Sequence, residues 1–158
     1  MQSAAGLIEE FELFLTGRMR EFREPVRTEF AALFDAIALQ NDGRLHIEVY
    51  TDSDGFDFHL CQFDEKNMEI KNAHIHLFNN NIRAIWPIVQ PEEMDRFWIW
   101  EEDPKWGRQV ALEQPIDNID LAQIVIPWFR GIVLETRGHC RDEVTLALHD
   151  LTPSMPLC

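Results

Sequence analysis

The sequence predicts an α+β fold: an antiparallel sheet, a meander of four or more strands plus a hairpin, covered on one face by N-terminal and C-terminal helices. Two kinds of periodicity and their order lead there. Apolar residues recur at three- and four-residue spacing near both ends of the chain, and at two-residue spacing between them. The alternating runs follow one another across short turns instead of alternating with helices.

In residues 4–22, Leu7, Ile8, Phe11, Phe14, Leu15, Met19 and Phe22 make an amphipathic helical stripe. Pro25 has no amide hydrogen and is expected to interrupt it. Val26, Phe30, Leu33, Phe34 and Ile37 then predict a second helix to about residue 39, ended at Asn41-Asp42-Gly43 by a left-handed glycine. Residues 44–50 alternate Leu45, Ile47 and Val49 with His46, Glu48 and Tyr50, the mark of a half-buried strand. Asp52-Ser53-Asp54-Gly55 has the composition of a tight turn. Residues 56–63, 68–78 and 82–89 read as three further strands, separated by turns at 64–67 and at Asn79-Asn80-Asn81. Residues 97–101 and 109–114 form a hairpin around Asp103-Pro104-Lys105-Trp106-Gly107. A last helix lies within 117–137, capped by Asp117 or Asn118 and ended at Gly138. Pro127 implies a kink there or a start nearer Ile126. Residues 143–148 read as a final strand, and the proline-bearing tail 152–158 is expected to be loose.

A length of 158 residues fits one domain, 1–158, and 46% apolar residues supply its core. Acidic residues number 28 against 14 basic ones, a formal charge of −14. Such a surface disfavours phosphate backbones and anionic membranes and favours basic partners. Cys61, Cys140 and Cys158 are widely spaced and odd in number, which argues against a disulfide framework or a zinc site. Glu9, Glu10 and Glu12 break up the apolar N-terminus, so no secretory signal is expected, and a cytoplasmic protein is.

Few residues carry a chemical signature. His74 and His76 are two apart and would share one face of a strand, with His59 and Asp57 on the neighbouring strand. That set is the candidate metal or acid–base site. Asp52, Asp54 and Asp57 resemble the start of a calcium loop, but with Gly55 in sixth place both anchoring positions, Tyr50 and Cys61, lack carboxylates. Cys140 follows His139, yet neighbours in an extended segment point apart and cannot form a nucleophile–base pair. No nucleophile elbow, phosphate loop or zinc-protease motif occurs. The chain therefore reads as a binding protein without a cofactor, not as an enzyme.

The segment from Trp86 to Trp106 sets aromatic side chains among acids. An aromatic centre with an acidic rim suits capture of a basic protein. Its predicted binding residues are Asp52, Asp54, Asp57, Glu92, Glu93, Asp95, Trp98, Trp100, Glu101, Glu102 and Asp103. In size, acidity, lack of a secretion signal and lack of catalytic motifs, the chain resembles the bacterial immunity proteins that neutralise toxins. That resemblance implies a basic partner, such as the nuclease domain of a cognate toxin, and assigns no residue by itself. Two other readings stand beside it. One is a metal-dependent enzyme or small-ligand binder using the histidines. The other is an adaptor that self-associates through the tryptophan-bearing hairpin.

Overall fold

The computed structural model describes residues 3–37, 43–52, 55–85, 91–111, 120–139, 143–149 and 153–158. It is α+β, as the periodicities predict, but its sheet is mixed.

Helix α1 (Ala4–Ala36) starts at Ser3, whose hydroxyl accepts the Gly6 amide at 3.0 Å. The two helices expected on either side of Pro25 are one. Leu7, Phe11, Leu15, Met19, Val26, Phe30 and Leu33 are all buried, and the stripe passes Pro25 in phase. Burial of both halves on one core offsets the roughly 3 kcal/mol that an interior proline costs. Exposed Pro127 sits inside helix α4 (Leu121–Arg137) in the same way, and that helix neither starts late nor breaks. Gly138 ends α4 as expected, with a φ of 82° and its amide on the Leu134 carbonyl. Asp117 and Asn118 lie outside the described residues. So does the Asn41-Asp42 part of the expected stop, and α1 already ends at Ala36.

Strands β1 (Arg44–Asp52) and β2 (Gly55–Phe63) form the predicted hairpin in antiparallel register. The meander goes no further. Residues 68–72 are extended, with a single bridge from Glu69 to Phe63, and helix α2 (Ala73–Ile85) replaces the expected third strand and the start of the fourth. Ile75, Phe78 and Ile82 give α2 its buried face, while Leu77, part of the apparent alternation, stays exposed. The asparagines read as a turn lie inside this helix. Asn79 donates to the Leu60 carbonyl and accepts the Leu60 amide, both at 2.9 Å. Its carboxamide thus pairs with the outer edge of β2 as another strand would.

Strand β5 (Val144–Leu148) pairs in parallel with β1, and β6 (Met155–Pro156) pairs antiparallel with β5. The order is β2-β1-β5-β6. The tail expected to be loose therefore includes a strand. Leu157 is fully buried, its amide bonds the Val144 carbonyl, and Arg130 of α4 holds its own carbonyl at 2.8 Å. Cys158 is disulfide-bonded, against the expectation of unlinked thiols, and the sulfur it bonds lies outside the described residues. Cys61 is a free thiol.

Leu45, Ile47 and Val49 bury one face of β1. Phe58 of β2 touches Phe30 of α1, Phe78 of α2 and Phe129 of α4, so one ring joins the sheet to three helices. Trp128 of α4 donates to the Met19 carbonyl of α1, and Glu135 accepts from Arg23 across the same helix pair. The opposite face of the sheet carries Arg44, His46, Glu48, Tyr50, His59 and Cys61. No helix among the described residues is long and apolar enough to cross a membrane.

Candidate functional site

A second, two-stranded sheet stands apart from the first. Helix α3 (Pro91–Met94) and a 3-10 turn (Asp95–Phe97) lead into β3 (Trp100–Asp103), which pairs with β4 (Gly107–Val110). Phe97 anchors the unit. It is fully buried, with its ring 5.1 Å from Phe11 and 5.2 Å from Phe14 of α1. Arg18 of α1 pairs with Glu93, and Arg96 covers the Phe14 ring at 4.3 Å. The turn closes on Asp103, whose carboxylate accepts the amides of Lys105 and Trp106 at 2.8 Å each. Gly107 supplies the positive φ that follows.

This anchoring leaves the hairpin's rings outside. Trp106 is 70% exposed at the tip, and Ile99 and Trp100 are also exposed. Arg108 lies 4.5 Å over the Trp100 ring and Lys105 lies 4.6 Å over Trp106. Both indoles therefore already hold cations on their faces.

Of the predicted binding residues, Glu92, Asp95, Trp100, Glu101 and Glu102 are exposed on this unit. Three are committed elsewhere. Glu93 is paired with Arg18, Asp103 closes the turn, and Trp98 is half-buried against the core. Trp98 precedes the strand, so the two indoles expected on one strand face are not together. Asp57 is exposed on the main sheet opposite Tyr50. Asp52 ends β1, its side chain outside the description along with all of Asp54. The most exposed indole among the described residues, Trp106, is not among the predicted binding residues; its place in a proline- and glycine-flanked turn was the available signal.

The histidines regroup. His74 and His76 are exposed on α2, where a spacing of two turns them apart. His59 faces Glu48, not Asn72 as the meander implied. Its companions are His46 and His149. In the neutral ring, His46 Nε2–H donates to Glu48 Oε2 at 2.7 Å and Nδ1 accepts from the Thr145 hydroxyl at 2.8 Å. Arg44 donates to that same hydroxyl at 2.8 Å. His149 Nδ1–H donates to Glu48 Oε1 at 3.0 Å. Tyr50 stacks between His59 and His149, with centroids at 5.2 and 4.5 Å. Burial alone would raise the Glu48 pKa, but the two imidazole hydrogen bonds outweigh it and hold the carboxyl below its ordinary range. Burial lowers the pKa of His59, against the pull of Glu48, Asp57 and Glu69, and raises that of Cys61. Arg44, His46, Glu48, Tyr50, His59 and His149 line a shallow depression of about 350 Å³. Among the described residues, no three His, Cys, Asp or Glu side chains are placed to hold a metal ion.

Comparison with protein-family models, with curated proteins and with solved structures finds no match.

Proposed function

We propose that this protein captures and neutralises a basic protein through the β3–β4 hairpin, in the manner of a bacterial immunity protein acting in the cytoplasm on a toxin nuclease. The observation that carries this reading is Trp106, an indole 70% exposed at the tip of an acidic hairpin. Large aromatic rings left in water at a fixed site are characteristic of interface centres. Glu92, Asp95, Glu101 and Glu102 are exposed on the same unit and would steer cationic groups toward it. Lys105 and Arg108 already cover one face of each ring, so a partner's lysine or arginine would take the opposite faces or displace them. Nucleic acid is not a ligand under this reading, because a charge of −14 repels phosphate.

The test is affinity capture from the native cell at low and then high salt, with the wild type and a Trp106→Ala, Glu101→Gln, Glu102→Gln variant as parallel baits. The expected result is one basic polypeptide, released by salt and absent from the variant. Co-expression should also suppress its toxicity. A basic polypeptide held equally well by the variant would remove the hairpin from the account. Concentration-dependent self-association abolished by Trp106→Ala would replace this reading with that of an oligomeric adaptor.

A further inference from the structure

We propose that the open face of the main sheet binds a small anion carrying a carboxylate or phosphate group, at Arg44 and the imidazoles beside it. The chain has twice as many acids as bases, yet among the described residues that line this depression one carboxylate, Glu48, stands beside one guanidinium, Arg44, and the imidazoles of His46, His59 and His149. Moreover, Glu48 is already engaged, one oxygen by each of two imidazoles. The cation on the same strand, Arg44, is held without a counter-charge among the described residues. It donates to Thr145, Ser154 and Asn67, all neutral. Phe63 backs its guanidinium at 5.2 Å. Four arginines elsewhere, Arg18, Arg23, Arg27 and Arg137, each meet a glutamate. A half-buried guanidinium that is oriented by neutral acceptors retains its full charge for a ligand, and a planar fork suits carboxylate or phosphate. Asp57 and Glu69 act on His59 from outside the depression, and their charges oppose an anion on that side. The inference is independent of the hairpin, which lies in another sheet.

The test is an amide-resolved NMR titration of the whole chain near neutral pH, with inorganic phosphate and separately with succinate, at constant ionic strength. Saturable shifts confined to residues 44–50, 57–63 and 144–149 are expected with at least one anion. Saturation by phosphate alone marks a phosphate ligand, and by succinate alone a carboxylate. Arg44→Gln should weaken binding about tenfold, since it removes the charge-assisted fork. His149→Gln should weaken it about threefold by leaving Glu48 less compensated, and Glu48→Gln should tighten it by a similar factor. Opposite signs at Glu48 and His149 separate an electrostatic site from a merely structural network, whose disruption weakens binding in every variant. If Arg44→Gln does not fold, the other two variants decide. The proposal is overturned by non-saturable shifts with both anions, by equal binding in all variants, or by weaker binding in folded Glu48→Gln.

Discussion

Three residues hold more of this structure than their size suggests. Gly43 has a φ of 105°, and a Cβ there would stand 1.9 Å from the Phe63 carbonyl oxygen. Both backbone strain and collision with the neighbouring strand oppose any side chain. Gly43→Ala is expected to cost about 3 kcal/mol in urea unfolding; a loss under about 1 kcal/mol would mean that the entry to β1 relaxes freely. The other two, Glu48 and His59, link stability to pH. The folded state depresses the pKa of His59, so the unfolded imidazole takes the proton first. Its contribution is complete above about 6.5, the ordinary value, and fades as pH falls through the folded value. Glu48 is also depressed, and its contribution fades below about 4.5. Denaturation midpoints should therefore fall in two stages on acidification. His59→Gln should flatten the upper stage; an unchanged slope would show that His59 does not set it.

At the scale of elements, the sequence was legible where one periodicity dominated. The α1 stripe, the β1–β2 alternation and the Gly138 stop all appear where spacing and turn chemistry put them. It misled where two signals competed. Residues 68–78 carry partial alternations, Met68 with Ile70 and then Ala73, Ile75 and Leu77, but Ile75, Phe78 and Ile82 form the stripe that reaches the core. Three consecutive asparagines hid the helix, because such residues usually compete with helical hydrogen bonds. Here Asn79 spends its amide on β2 and Asn81 bonds Glu29 of α1. Tertiary partners overrode local preference, and a single sequence does not display partners. The candidate sites divide the same way. The acidic, aromatic hairpin follows from neighbouring residues, whereas His46, Glu48 and His149 meet only because β5 lies beside β1. Asn79→Ala is expected to lower stability by about 1 to 3 kcal/mol, since two backbone groups of β2 lose a partner. Pro25→Ala should raise it by about 1 kcal/mol or more by restoring a helical bond. A loss of stability at Pro25 would point to a bend that the core requires.

At the scale of the molecule, the C-terminus is a structural member. Leu157 and strand β6 fasten residues 155–157 to the sheet, and Cys158 carries a disulfide. Protein purified without reductant should titrate one thiol when denatured, that of Cys61, and three after reduction. Reduction should lower the melting temperature while Leu157 keeps the tail in place. Retention of three thiols in oxidising buffer would show that the bond does not form, as a reducing cytoplasm would also ensure. The parallel contact of β1 with β5 has a further effect, felt while the chain is being made. It joins segments roughly a hundred residues apart, and such non-local pairing slows folding. On the ribosome, Leu45, Ile47 and Val49 emerge about a hundred residues ahead of β5 and wait beside an open strand edge until it follows. A premature stop just before residue 144 would thus release a chain that contains most of its core yet cannot close it, a natural target for chaperones and proteases.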